Sequence, residues 1–255
     1  MSTSASSSMT PNTRKLSRSA VFSFGLSVLV LLLAVFGSLG TRWAWWPFRL
    51  GFIVMLAAVI AGAAAIILSI IGLFATRRRK SKRGAKWALV GLVVSFVVLA
   101  LPLNLIINGF RLPPIHDITT DTENPPRFVA ILPLRKTADN PAEYGGPEVA
   151  AQQHKAYPNV RPATLPTPPN ETFNKALEIA REMGWEIVDA NSGEGRIEAT
   201  ARTFWFGFKD DVVILVSPAA AGSRVDIRSV SRVGTSDVGA NAKRIEKFLH
   251  RLGQT

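Results

Sequence analysis

Three stretches with no charged residue in their interior, 19–39, 50–75 and 87–108, dominate the first part of the chain. Crossing the hydrocarbon core of a bilayer takes about 20 apolar residues in helical form, so each stretch predicts a transmembrane helix. A signal peptide is the competing reading of 19–39, but the run is too long for one and two further runs follow it. In the second stretch Ala57, Ala61 and Ala65 recur at every fourth position, as do Ala58 and Gly62. Small residues at that spacing let helices approach closely in lipid, which predicts packing inside a three-helix bundle. Trp43, Trp45, Trp46 and Phe48 stand between the first two stretches and read as an interfacial aromatic belt. Pro102 predicts a local kink in the third helix.

From Asn170 the pattern changes. Phe173, Ala176, Leu177 and Ala180 make one apolar face at helical spacing, with Asn170 as the expected N-cap and Gly184 as the stop. Residues 185–188 read as a strand, followed by a turn over 191–195. Ile197, Ala199 and Ala201 alternate with Glu198, Thr200 and Arg202, as in a half-buried strand. Residues 211–216, DVVILV, are apolar on both faces, as a central strand is, and 224–233 reads as a fourth strand. Val238, Ala242, Ile245, Phe248, Leu249 and Leu252 form the stripe of a last helix starting near Ser236 or Asp237. Asp237 at its start and Lys247, His250 and Arg251 near its end suit the helix dipole.

Between these regions, 109–169 holds twelve of the sixteen prolines and little periodicity. Proline removes backbone donors and disfavours helix interiors and central strands. The apolar residues 128–132 and 157–160 predict an extended strap lying on the following domain, with a mobile section around 139–146. Only this strap is left to cover the second face of DVVILV. The predicted fold class is α+β: three transmembrane helices, then an antiparallel sheet of about four strands, with two helices on one face and the proline-rich strap on the other. The predicted organisation is a disordered cytoplasmic tail over 1–18, a membrane domain over 19–108, the strap over 109–169 and an α+β core over 170–255.

Charge then orients the chain. Up to Lys86 there are twelve basic residues and no acid, and the first carboxylate is Asp117. Seven of those bases, Arg77, Arg78, Arg79, Lys80, Lys82, Arg83 and Lys86, crowd between the second and third helices. Short loops rich in Lys and Arg stay on the cytoplasmic side, so the N-terminus is expected inside and everything after residue 108 outside. That orientation places the C-terminal domain outside the cytoplasm and makes the lipid bilayer the first partner. From residue 110 onward, eighteen bases balance eighteen acids, although the whole chain carries a net charge of +12. The excess needed for nucleic-acid binding is absent from that part, which speaks against such a partner. With no cysteine, disulfides and thiolate chemistry are excluded. No ionisable residue lies inside a predicted span, which weakens a transporter reading.

The candidate chemistry lies in polar rows. Glu198, Thr200 and Arg202 share one face of a strand, and Arg224, Asp226, Arg228 and Arg232 share one face of another. If the strap brings His116, Asp117 and Asp121 to that side, an anion-binding groove is expected, since guanidinium groups grip carboxylate and phosphate bidentately. Its candidate residues are Arg202, Asp210, Asp211, Arg228, Ser231, Arg232, Ser236 and Asp237, with His116, Asp117 and Asp121 from the strap. The competing expectation is that arginines and carboxylates pair with each other as a structural network. His116, His154 and His250 show no ligand spacing, so no metal site is expected. No P-loop, dinucleotide fingerprint or Gly-x-Ser-x-Gly nucleophile occurs either, and no catalytic residue or cofactor is assigned.

FGFKDDVVILV over 206–216, followed by VDIRSVSRVGTSDVGANAKRIEKFL over 225–249, closely resembles the signature of the Domain of Unknown Function 1499 family. HDITTDTENPPRF over 116–128 resembles the opening segment of its membrane-attached bacterial members; a cysteine-containing motif that begins many members is absent. The resemblance covers about 113–252 and places the polar signature on Asp210, Asp211, Arg228, Ser229, Ser231, Arg232, Ser236, Asp237 and Asn241. It implies no established activity, and with the charge pattern it makes the expected location the bacterial inner (cytoplasmic) membrane, with a periplasmic C-terminal domain. The expected function is an envelope-associated binding or structural module, with an anionic envelope ligand or another membrane protein as candidate partner. An envelope hydrolase or an accessory transport subunit is the alternative.

Overall fold

The computed structural model describes residues 15–78 and 82–253. Most of the expected tail, up to residue 14, and positions 79–81 of the basic loop lie outside the described residues. The chain divides into two compact units between Leu103 and Asn104.

The first unit is built from α1 (Arg18–Arg42), α2 (Phe48–Arg78) and the part of α3 (Ala85–Arg111) up to Leu103, and all three helices are long and apolar enough to cross a membrane. A two-residue parallel pairing of β1 (Lys15–Leu16) with β2 (Lys82–Arg83) ties the start of α1 to the start of α3. Ala58, Gly62, Ala65, Ser69 and Gly72 are buried, whereas Ala57 is exposed and Ala61 half-buried. The buried seam on α2 therefore advances by four and three residues in turn, the spacing of knobs-into-holes packing, and not by fours alone. Close approach explains its composition. A Cβ on Gly72 would lie 3.1 Å from Ala20 Cα and 3.2 Å from Ala88 Cβ, and one on Gly91 3.0 Å from Ser69 Oγ. Ile53, Leu56, Ile60 and Ile67 point outward, the reverse of a helix surface made for water.

The second unit holds an antiparallel sheet of six strands, not four. Its core is the expected meander: β5 (Glu186–Asn191), β6 (Arg196–Arg202), β7 (Lys209–Ala219) and β8 (Gly222–Ser231). The strap supplies the other two, β3 (Asp117–Thr119) and β4 (Ala163–Leu165), which pair with opposite ends of the outer edge of β8. Each is three residues long among prolines, too short to show alternation. Together they cover an edge that would otherwise offer unpaired backbone groups. The strap also contains α4 (Pro147–Ala156), with Pro147 in its first turn, where a missing N–H costs nothing. Buried Gln153 of α4 donates to the Thr119 carbonyl and accepts from the Thr119 N–H, at 2.7 and 2.9 Å. Its amide thus continues the ladder beyond β3.

α5 (Pro169–Glu182) and α6 (Ala240–Gly253) pack on one face of the sheet. Phe173, Ala176, Ile179, Ile245, Phe248 and Leu252 meet Val212, Ile214, Val225 and Ile227 there. α5 starts at Pro169, so the cap falls on Pro168 and not on Asn170. α6 starts at Ala240, after a turn in which Val238 has φ +52° and leaves the helical stripe. On the opposite face Phe128 and Ile131 of the strap cover Val213 and Val230. Within the section expected to be mobile, Asn140 Nδ2 is fixed to the carbonyls of Ser231 and Gly234 at 3.0 and 2.9 Å.

Candidate functional site

Alternation along β7 splits the two adjacent acids of the signature. Asp211 points to the strap face and Asp210 to the helix face, so the expected groove residues divide into two separate clusters.

On the strap face, Arg228 is buried and its guanidinium grips both oxygens of Asp117, at 2.9 and 2.7 Å. Its remaining N–H groups donate to the carbonyls of Pro126 and Ala142, at 3.2 and 2.8 Å. The rings of Phe128 and Tyr144 lie 5.3 and 5.5 Å from it, within cation–π range. Asp211, fully buried, receives Arg135 at 2.6 Å, Arg232 at 2.8 Å on each oxygen, and the Thr200 hydroxyl at 2.8 Å. Arg135 also donates to the carbonyls of Asn140 and Pro141, and Arg232 to that of Leu134. Glu198, 0% exposed, accepts the N–H groups of Val129, Ala130 and Ile131 at 2.9, 3.1 and 2.9 Å. Arg196 Nε lies 2.9 Å from Glu198 as an ion pair without hydrogen-bond alignment. Toward the far end of β8, Arg224 bridges Asp226 and Asp121, and Asp121 also accepts the N–H groups of Glu123 and Asn124.

Five carboxylates thus meet five guanidinium groups, and most of the bonds left over go to strap carbonyls and N–H groups. Low local dielectric strengthens such a network and makes any unpaired member costly; Arg135 Nε and Arg196 Nε are buried without a hydrogen-bond acceptor. Beside it, burial and then the nearby Asp117 charge push the Tyr144 phenol up to about 12.

On the helix face, Asp210 meets Arg244 of α6 at 2.5 Å. Arg244 donates to Ser229 Oγ and to Asn241 Oδ1. The Asn241 amide donates in turn to Ser231 Oγ and to the His116 carbonyl, both at 3.0 Å. Asp237 accepts the N–H groups of Gly239 and Asn241, each at 2.8 Å, and so closes the turn that starts α6. Burial nonetheless raises its carboxyl above the ordinary 3.8, those two bonds opposing the rise. Ser236 Oγ accepts from the Val238 N–H, and His116 contributes its backbone carbonyl. These residues seat α6 and the chain entering at residues 113–116 against the end of β8.

Arg202 joins neither cluster. It is exposed at the end of β6, pairs with Glu186 at 3.2 Å, and lines a hollow of about 250 Å³ with Lys243, Arg244 and Lys247. Among the described residues, no three His, Asp or Glu side chains converge in a metal-holding cluster.

Sequence reading did not single out Arg135, Arg244 or Gln153. Arg135 is a lone base in an aperiodic strap, and Gln153 belongs to a helix hidden among prolines. Arg244 stood in plain view on α6, but only the register placing Asp210 on the helix face pairs it. No curated protein matches the sequence. A sequence profile described as a protein of unknown function (DUF1499) matches residues 117–252, from the acid that holds Arg228 to the last apolar residue of α6. More than half of the chain is thereby covered, and the chain belongs to the DUF1499 family.

Proposed function

We propose that this chain is a membrane-anchored protein of the bacterial envelope whose C-terminal domain is a binding or structural module. The observation that carries this reading is the use made of the signature. The signature's Arg228, Arg232 and Asp211 hold the strap to the sheet through Asp117, the Leu134 carbonyl and Arg135, and its Asp210 and Asn241 hold α6 to the sheet through Arg244 and Ser231. Such bonds join elements of the fold to one another, which supports a structural role for the signature.

In this reading α1–α3 span the inner membrane, the N-terminus and the basic loop lie in the cytoplasm, and the domain lies in the periplasm. The distribution of Lys and Arg supports that orientation. Alkaline phosphatase fused after Leu112 should be active, and fused after Lys82 nearly inactive; the reverse pattern overturns the orientation. An anion that used the signature would have to compete for Arg228 or Arg232 and loosen the strap. Saturating phosphate should therefore leave proteolysis of residues 128–142 unchanged, and faster cleavage would overturn the structural reading.

A further inference from the structure

The hairpin between β6 and β7, residues 203–208, reads TFWFGF. It is an ordered tip: the Thr203 N–H donates to the Phe208 carbonyl and the Phe208 N–H to Thr203 Oγ1, both at 2.9 Å. Gly207 supplies the positive φ, +67°, that closes it. Phe204 is 75% exposed and Trp205 46%, their rings edge to face at 5.1 Å. Such exposure has no role in the domain's own core.

Three further observations fall on the same end of the sheet. First, the exposed large apolar side chains described beyond Leu112 are few: Phe204 and Trp205 of the hairpin, Val129 (tied by its N–H to Glu198 in mid-strand), Leu132 and Leu134. Of these, Leu134 is held by Arg232, whose N–H donates to the Lys209 carbonyl at the base of the hairpin. Second, that base carries an excess of positive charge: Arg202, which pairs with Glu186, and Lys209 are partners across it, and Lys243 and Lys247 share the hollow with Arg202. Third, the chain enters the domain there. The carbonyls of Ile115 and His116 accept from Asp237 N–H and Ser231 N–H, and Ser231 is the partner of Asp210 beside Lys209. The opposite end of the sheet turns through Ser192, Gly193 and Glu194, and through Ala219 and Gly222, without an aromatic residue.

We propose that this end of the domain docks on the anionic surface of the bilayer that holds α1–α3. The proposal rests on the membrane-anchored reading above. Aromatic rings with one polar edge settle at the headgroup level, and neighbouring Lys and Arg are drawn to anionic lipid. The chain arrives at this end directly from α3, so the surface is present at high effective concentration and weak contacts suffice.

Because the chain has no cysteine, single labels read this directly. Trp205→Cys (with Phe204 retained), Ser192→Cys and Ile60→Cys variants of the full chain are spin-labelled. They are reconstituted in vesicles of phosphatidylglycerol with phosphatidylcholine, or of phosphatidylcholine alone. Collision with dissolved oxygen and with a water-soluble nickel complex then reports depth. In anionic vesicles position 205 should be shielded from nickel and open to oxygen, as position 60 is, while position 192 stays aqueous. Lys243→Glu with Lys247→Glu should lower the shielding at 205. If 205 is as aqueous as 192 while 60 is embedded, docking is overturned and anchoring stands. If 60 is aqueous too, both fall. Equal shielding in phosphatidylcholine alone overturns the role of anionic lipid.

Discussion

Replacing Glu198 by glutamine changes one oxygen to an amide and keeps the shape. The side chain is fully buried, and three consecutive strap N–H groups, from Val129 to Ile131, point at its two oxygens. Glutamine offers one acceptor oxygen, which can keep Val129 and Ala130. Its NH₂ then faces the Ile131 N–H, donor against donor, at a residue that is itself 0% exposed. A hydrogen bond to a charged group is worth about 1.5–3 kcal/mol, and a buried unpaired N–H costs about 1–3 kcal/mol. Arg196 keeps Asp189 and Glu194 as partners, so its own loss is small. The two main effects overlap on one bond, and Glu198→Gln should destabilise the domain by about 2–4 kcal/mol. Urea unfolding of residues 112–255, which contain a core of their own, measures this as a lower midpoint at unchanged slope. Limited proteolysis should cut residues 128–135 faster. A loss below about 0.5 kcal/mol, the size of an ordinary surface substitution, with unaltered proteolysis, would refute the reasoning.

Tyr144 and Tyr157 are the only tyrosines, and burial raises both phenols from 10.0 to about 12. Tyrosinate absorbance of residues 112–255 should therefore stay low at pH 10.5 when folded and rise there in urea. Since the folded values are raised, the stability these groups contribute is full below pH 10 and is lost as pH climbs toward 12. A folded-state midpoint near 10 contradicts this. Asp237 is raised as well, so the folded state holds its proton more tightly, and its contribution is greatest below pH 3.8 and is lost as pH rises through the folded value. Wild type should lose stability relative to Asp237→Asn across that window and run parallel above it. A relative gain in the window would show that its two backbone bonds outweigh burial.

The elements with strong periodicity were legible. The three apolar stretches, the amphipathic faces of α5 and α6, and the alternation of Ile197, Ala199 and Ala201 each set a burial pattern that packing then followed. What escaped was fixed by tertiary contact alone. β3 and β4 exist because the edge of β8 needs partners, and three residues cannot announce that by pattern. The polar site was half legible. Alternation put Glu198, Thr200, Arg224, Asp226, Arg228 and Arg232 on one face, where Asp117 and Asp121 of the strap meet Arg228 and Arg224, whereas Arg202, expected in the same row, pairs with Glu186 at the strand end. Placing Asp210, Ser231 and Asp237 in the same cluster ignored the period of two, which sends neighbours on a strand to opposite faces. The backbone partners, three N–H groups on Glu198 and the carbonyls on Arg135 and Arg228, carry no sequence signature at all.

The claim that the family signature fastens the strap is tested most directly by a double-mutant cycle on Arg228 and Asp117, read by urea unfolding of residues 112–255. Removing one member of a buried ion pair costs about 3–5 kcal/mol, while replacing both by apolar residues is often close to neutral. Arg228→Met alone should therefore cost about 3–5 kcal/mol, and Asp117→Leu with Arg228→Met should recover most of that loss. An open anion site crowds like charges, so there Arg228→Met would leave stability unchanged or raise it. That outcome, with no coupling between the two positions, would contradict the account.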